Sequence, residues 1–184
     1  MAEKRKQIVL VSPIGVAKYP RVNTPDTKFD PDGKYSCKLL LDPKDADHQA
    51  FIEKVEAEVK AAFERVKAEL NPVQRKKAGK LSPLSEDADK EGNPTGLMVL
   101  SASQKAVVTF KDGTSVTKTV PLCDALGKPY DPTKIVYGGS KLRLAIGLSD
   151  CKITNNQPMA GLSARLLAVQ VVEAAQSTRD AGSF

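Results

Sequence analysis

The sequence has little that a catalytic site would need. Among its 184 residues there is one histidine and there are three cysteines. It contains no GxSxG turn, no phosphate-cradling glycine loop and no HExxH pair, each of which would point to a reaction type. His48 stands beside Asp47 with no second ligand at metal-binding spacing, so it reads as a solvated surface residue. Cys37, Cys123 and Cys151 are odd in number and far apart, which argues for reduced, buried thiols inside a cell rather than a disulfide framework or metal site. No apolar run reaches the roughly 18 residues that span a bilayer. The apolar stretch Ile8 to Val11 is too short for a signal-peptide core. The acidic cluster Glu86, Asp87, Asp89 and Glu91 lacks the ligand order of a calcium loop and reads as a hydrated charge run. The chain is therefore expected to be no enzyme and to need no cofactor.

What is present suits one domain. A hydrophobic share of 41% supports a single core. Residues 34–41, KYSCKLLL, place Tyr35, Cys37, Leu39 and Leu41 on one side, as in a half-buried strand. Asp42-Pro43 resembles a helix start, with Asp42 as N-cap. Phe51, Val55, Val59, Ala62, Phe63, Val66 and Leu70 then form one apolar stripe, predicting a helix over 43–70 with both phenylalanines in the core. Residues 71–94 are basic and then acidic, with three prolines and two glycines, and are expected to be a long flexible loop. From Leu97 onward the runs LMVLSASQKAVVTF, SVTKTV, SKLRLAIGL and GLSARLLAVQVV favour strands, with a hairpin at Asp112-Gly113. Nothing alternates strand with helix. The expected fold is mainly β: an antiparallel barrel of five to seven strands with one long inserted helix, in a domain over 1–173 followed by a tail over 174–184.

Charge is unevenly spread. The net charge is +6, yet residues 42–70 hold five Lys or Arg against eight Asp or Glu. Their net of −3 leaves +9 on the remaining residues, so the β part should carry a basic face suited to a polyanion. In KLRLAIGL the apolar residues share one side, which puts Lys141 and Arg143 on the other. Lys105 lies on the small polar face of SASQK, and Lys111 follows Phe110 at the hairpin end. Tyr19 and Phe29 lie in proline-broken sequence and are expected to be exposed, whereas Tyr35 is expected in the core. Cations that neutralise phosphates and rings that stack on bases are the two means by which single strands are held without a base code. Arg75, Lys76, Lys77 and Lys80 in the 71–94 segment are read either as a mobile flap that closes over bound DNA or as part of a loop without a role.

The order SPIGVAKYPRVNTPDTKFDPDGKYSCKLLL, a helix, YGGSKLRLAIGL and finally LSARLLAVQVVE resembles the bacteriophage-type single-stranded DNA-binding proteins over roughly residues 8–173. That resemblance implies an oligonucleotide/oligosaccharide-binding (OB) barrel that binds single-stranded DNA without sequence preference during phage replication and recombination, in the cytoplasm of an infected bacterium. It implies that Lys18, Tyr19, Arg21, Lys28 and Phe29 line the groove and that Tyr137, in the YGGS turn, stacks beside them. Related proteins often end in a strongly acidic tail with a terminal aromatic that recruits replication partners such as the polymerase or helicase/primase. Here Phe184 is present, but residues 174–184 carry only Arg179 and Asp180 as charges. Two other readings stand beside this one: an OB-type module whose basic face meets an acidic protein, and a nuclease or annealing enzyme using the 86–91 carboxylates with magnesium.

Overall fold

Thirteen elements follow one another in a computed structural model that describes residues 6–176. In chain order they are β1 (Ile8–Val11), β2 (Gly15–Asp26), β3 (Lys34–Leu41), α1 (Ala46–Lys67), α2 (Pro72–Lys77), β4 (Gly79–Leu81) and β5 (Leu84–Ala88). There follow β6 (Pro94–Lys105), β7 (Val107–Thr109), β8 (Ser115–Thr117), β9 (Leu122–Asp124), β10 (Lys141–Ile153) and β11 (Met159–Glu173). Five long strands close into a ring in the order β10-β2-β3-β6-β11, with β10 and β11 pairing to complete it. Neighbours are antiparallel except at the closing contact, where Arg165 of β11 lies parallel to Ser103 of β6. This is the expected OB-type barrel, with α1 inserted between β3 and β6.

The ring encloses the residues that strand periodicity selects. Leu39 and Leu41 of β3, Leu100 of β6 and Leu142, Leu144 and Ile146 of β10 are fully buried. Tyr35 joins them as expected. Each such side chain contributes roughly 1.5–3 kcal/mol by leaving water. The helix lays Phe51, Val55, Val59, Ala62 and Val66 inward at steps of three and four, against β10 and β11.

Several local expectations are corrected. The helix begins at Ala46, not at Pro43, and its N-cap is Asp45, whose carboxylate accepts from the amides of Asp47 and His48. Asp42 caps a preceding turn instead, accepting from the Lys44 amide at 2.9 Å. His48 is a tether rather than a solvated side chain. Its Nδ1 accepts from the Asp42 amide and its Nε2–H donates to the Ile14 carbonyl, both at 2.8 Å, binding α1 to the start of β2. Phe63 is only partly buried, because the stripe there runs past the barrel wall. It packs on the small cluster of Val66, Leu70 and Ala160, with the ammonium groups of Lys67 and Lys80 5.0 and 5.8 Å from its ring.

The 71–94 segment is not a flexible loop. Asn71 caps α2, β4 pairs parallel to Met159–Gly161 of β11, and β5 forms a hairpin with β6. At Gly161 a Cβ would lie 1.9 Å from the Leu81 carbonyl, so this close approach of β4 requires glycine. These short edge elements have almost no buried apolar residues of their own, and their partners lie far away in sequence. Of the tail over 174–184, Ala175 donates its amide to the buried Ser140 hydroxyl. Arg179, Asp180 and Phe184 lie outside the described residues.

Only one cysteine is buried. Cys37 is 1% exposed, and burial pushes its thiol up to about 12, whereas Cys123 and Cys151 are partly exposed. A thiolate-dependent alkylating reagent at mildly alkaline pH will therefore label Cys123 and Cys151 in the folded chain, and Cys37 only after denaturation, as peptide mass spectrometry would show.

Candidate nucleic-acid interface

The alternation that buries Tyr35, Cys37 and Leu39 turns Lys34, Ser36 and Lys38 outward. Strand register then decides what stands beside them. Across to β6, Lys34 faces Lys105, Ser36 faces Ser103 and Lys38 faces Ser101. Across to β2, Lys38 faces Lys18 and Ser36 faces Arg21, while ring closure brings Arg165 beside Ser103. The result is one outer face with a low serine floor, bordered by six cations from four strands. Like charges directly opposite each other destabilise a sheet. Among the described residues, Arg21, Lys34, Lys38, Lys105 and Arg165 have no carboxylate at ion-pair distance to relieve that repulsion.

Aromatic residues stand at the ends of this face. The β7–β8 hairpin hangs from Ala106, whose amide bonds Gly33 and whose carbonyl accepts from Lys118. Its turn is built by Asp112, which accepts from the amide and hydroxyl of Thr114, and by Gly113 in the left-handed region. The Thr114 hydroxyl holds the Asp112 carboxyl below its usual range. Phe110, half exposed, overhangs a cavity of about 510 Å³ whose lining includes Lys34, Ser103, Lys105, Lys118 and Arg165. Lys111 is exposed beside it. Phe29, on the loop after β2, is 86% exposed, with the Lys28 ammonium 5.4 Å from its ring.

At the other end a bulge carries Tyr19. Lys18 pairs with Lys38 and Arg21 with Ser36, so β2 holds one residue more than β3 between these points. Tyr19 takes up the excess at φ +50°, the left-handed region, and is 68% exposed. Such a conformation costs about 1–3 kcal/mol in a non-glycine residue. The neighbouring turn buttresses it, with the Gly139 amide bonded to the Ala17 carbonyl and Asn23 bonded to both Lys134 and Val136. Tyr137 lies on that turn, about one-third exposed.

The remaining predicted residues lie elsewhere or are engaged. Lys18 is on the face, but its ammonium is 2.6 Å from Asp87 and 3.4 Å from the Ala88 carbonyl. The Asp87 hydrogen bond raises the pKa of Lys18, and the same bond, with the Thr95 hydroxyl, lowers that of Asp87. Arg75 is no flap residue, since its guanidinium donates to the Ala68 and Leu70 carbonyls and caps the end of α1. Lys76 and Lys77 share α2 with it, a short helix that leads into β4 beside Met159 of β11. Alternation does point Lys141 and Arg143 outward, but Lys141 stands only at the margin of the face, lining a cleft with Val16, Leu40 and Leu97, and Arg143 stands off it. Lys141 pairs with Glu173 at 3.1 Å, and Arg143 lines a cleft with Asp45, Asp47 and His48. Asp89 organises its own turn by accepting from Asn93, and no grouping of three or more metal-type ligands occurs among the described residues. Lys34, Lys38, Lys118 and Arg165 were not singled out from the sequence. The alternation in KYSCKLLL and LSARLL carries the signal for three of them.

Comparison with known proteins bears on this architecture. No family model and no curated protein sequence matches the chain. Among solved structures, gp2.5, a single-stranded DNA-binding protein encoded by bacteriophage T7, superposes with a TM-score of 0.74 at 21% identity, covering 94% of this chain and 90% of that one. The single-stranded DNA-binding protein of bacteriophage Enc34, in complex with ssDNA, superposes with a TM-score of 0.62 at 15% identity over 95% and 97% of the two chains. Its C-terminally truncated form gives 0.59 at 16% identity. The chain thus has the fold of phage single-stranded DNA-binding proteins along nearly its whole length.

The like-charged Lys34–Lys105 pair yields a stability test. Lys105→Gln removes a like-charge cross-strand contact and is expected to stabilise the free protein by about 0.2–1 kcal/mol at low salt, with the gain shrinking as salt screens it. Urea unfolding at two ionic strengths would measure this, and a loss of stability at low salt would contradict it.

Proposed function

We propose that this chain binds single-stranded DNA without sequence preference and coats transient single strands during phage replication or recombination in the host cytoplasm. The observation that carries the reading is the serine-floored cationic face, rich in positive charge, with exposed aromatic rings at both ends. Phosphates would run along Lys34, Lys38, Lys105 and Arg165, with Arg21 at the margin. From Lys34 to Lys38 this path measures roughly 13 Å along the strand. Bases would stack on Phe110 and Phe29 at one end and on Tyr19 and Tyr137 at the other. Serines 36, 101 and 103 keep the floor low enough for a backbone to approach. The fold shared with two phage single-strand binders supports the same reading. The chain acts by binding and not by turnover, with Asp87 and Asp89 serving as structural hydrogen-bond acceptors. Its protein partners would be phage replication proteins reached through the C-terminal residues.

The test is a titration against a fluorescent oligo(dT) about thirty nucleotides long, with a duplex competitor, at two salt concentrations. Binding should be salt-sensitive and resistant to the duplex. Phe110→Ala should weaken it by about 1–3 kcal/mol, the usual worth of one stacked base. Arg165→Ala should lower the slope of log K against log salt by about 0.7, as loss of one phosphate contact would. Arg143→Ala, off the face, should change neither. Equal displacement by duplex, or binding to an acidic protein but not to DNA, would overturn the proposal.

A further inference from the structure

One cation of the face differs from the others: among the described residues Lys18 alone has a carboxylate at ion-pair distance, whereas Lys34 has Asp26 opposite it only in strand register. We infer that the Lys18–Asp87 ion pair is a latch that holds an acidic hairpin against one end of the groove and withholds Lys18 from DNA. This rests on the single-strand reading above and concerns the regulation of that same site.

The geometry of the β5–β6 hairpin is specific to the task. Its tip, residues 86–92, carries Glu86, Asp87, Asp89 and Glu91 against Lys90 alone. Glu86 faces Met98 and Ala88 faces Pro94, so β6 spends two residues more than β5 across this step. The slack is taken up around Gly96, which is left-handed at φ +84°. A bulge re-aims side chains, and here Asp87 is 6% exposed although its neighbours Glu86 and Ala88 are exposed. Its Oδ2 accepts from the Thr95 hydroxyl at 2.8 Å, which leaves Oδ1 directed at the Lys18 ammonium. Lys18 in turn sits beside the Tyr19 ring, 5.8 Å from its centroid, and opposite Lys38. The hairpin therefore reaches the end of the face where one of the stacking residues stands.

A carboxylate oxygen and a phosphate oxygen make the same charge-assisted hydrogen bond to an ammonium. While Asp87 occupies Lys18, a strand on the face meets one cation fewer and the negative field of the hairpin. Neutralising Asp87 should release the cation and lengthen the groove toward Tyr19.

Asp87→Asn is the direct test, because asparagine keeps an acceptor for Thr95 while losing the charge. Binding of oligo(dT) should tighten, and the slope of log K against log salt should steepen by about 0.7. Between about 50 and 200 mM salt the variant should then lose roughly 2.6-fold more affinity than the wild type. Adding Lys18→Met to Asp87→Asn should abolish the extra slope. A gain that survives in the double variant would mean that Asp87 acts only by repulsion, and would overturn the latch. So would a wild type that binds while Asp87→Asn leaves affinity and slope unchanged or weakens binding. A wild type that does not bind oligo(dT) overturns the single-strand reading and the latch together. Circular dichroism and thermal melting establish folding. If Asp87→Asn does not fold, Thr95→Val, which removes one of the bonds holding Asp87, carries the same test with a smaller rise in slope expected, and an unchanged slope overturns the proposal.

Discussion

Ring closure between β6 and β11 is the constraint on which the rest of the molecule depends. The long β10–β11 hairpin is local and antiparallel, so it would form a ribbon wherever it lay. The parallel contact at Ser103 and Arg165 turns that ribbon back onto β6 and converts a sheet with two faces into a wall with an inside and an outside. Once closed, every strand must send alternate residues inward, and the apolar set Leu39, Leu100, Leu144 and Leu166 meets in one core. The residues between them are forced onto the outside together. The gathering of Lys34, Lys38, Lys105 and Arg165 is thus a consequence of burying the leucines beside them.

That gathering has an electrostatic cost, and the distribution of carboxylates keeps it in place. The acidic residues are mostly occupied in organising the chain. Asp45 caps α1, Asp112 and Asp89 hold turns, and Asp150 binds Arg65. The acidic helix lies against β10 and β11, while the β3–β6 ladder is left almost without counter-charge. A fold optimised for stability alone would interleave the two signs. Concentrated repulsion together with a strained Tyr19 marks the face as a place where local rules give way to function.

Much of the architecture was legible in the sequence because it rests on periodicity. The strand at 34–41, the helix stripe from Phe51 to Val66, the Asp112-Gly113 hairpin and the exposure of Tyr19 and Phe29 all follow from spacing and turn chemistry. The short elements α2, β4 and β5 were not legible. They contribute few buried apolar side chains, and they are held by pairing with strands far along the chain, which no local pattern encodes. Spacing alone places the helix start three residues early because Asp42 and Asp45 are both good caps, whereas in the fold Asp42 closes a turn of its own and Asp45 caps the helix.

The sequence by itself determined which side of each strand is polar, since a period of two separates leucine from lysine whatever the strand pairs with. It also determined that the positive charge lies outside the helix. Tertiary structure alone decided which polar sides adjoin. Lys141 and Arg143 obey the same alternation as Lys34 and Lys38, yet β10 presents Lys141 to Glu173 and to the apolar Val16 and Leu40 and presents Arg143 to the start of α1, whereas β3 and β6 present their cations and serines to each other. Register between strands tens of residues apart is set by closing the ring around a shared core, and the partner that removes Lys18 from the open set is likewise a residue 69 positions away, brought close only by the β5–β6 bulge.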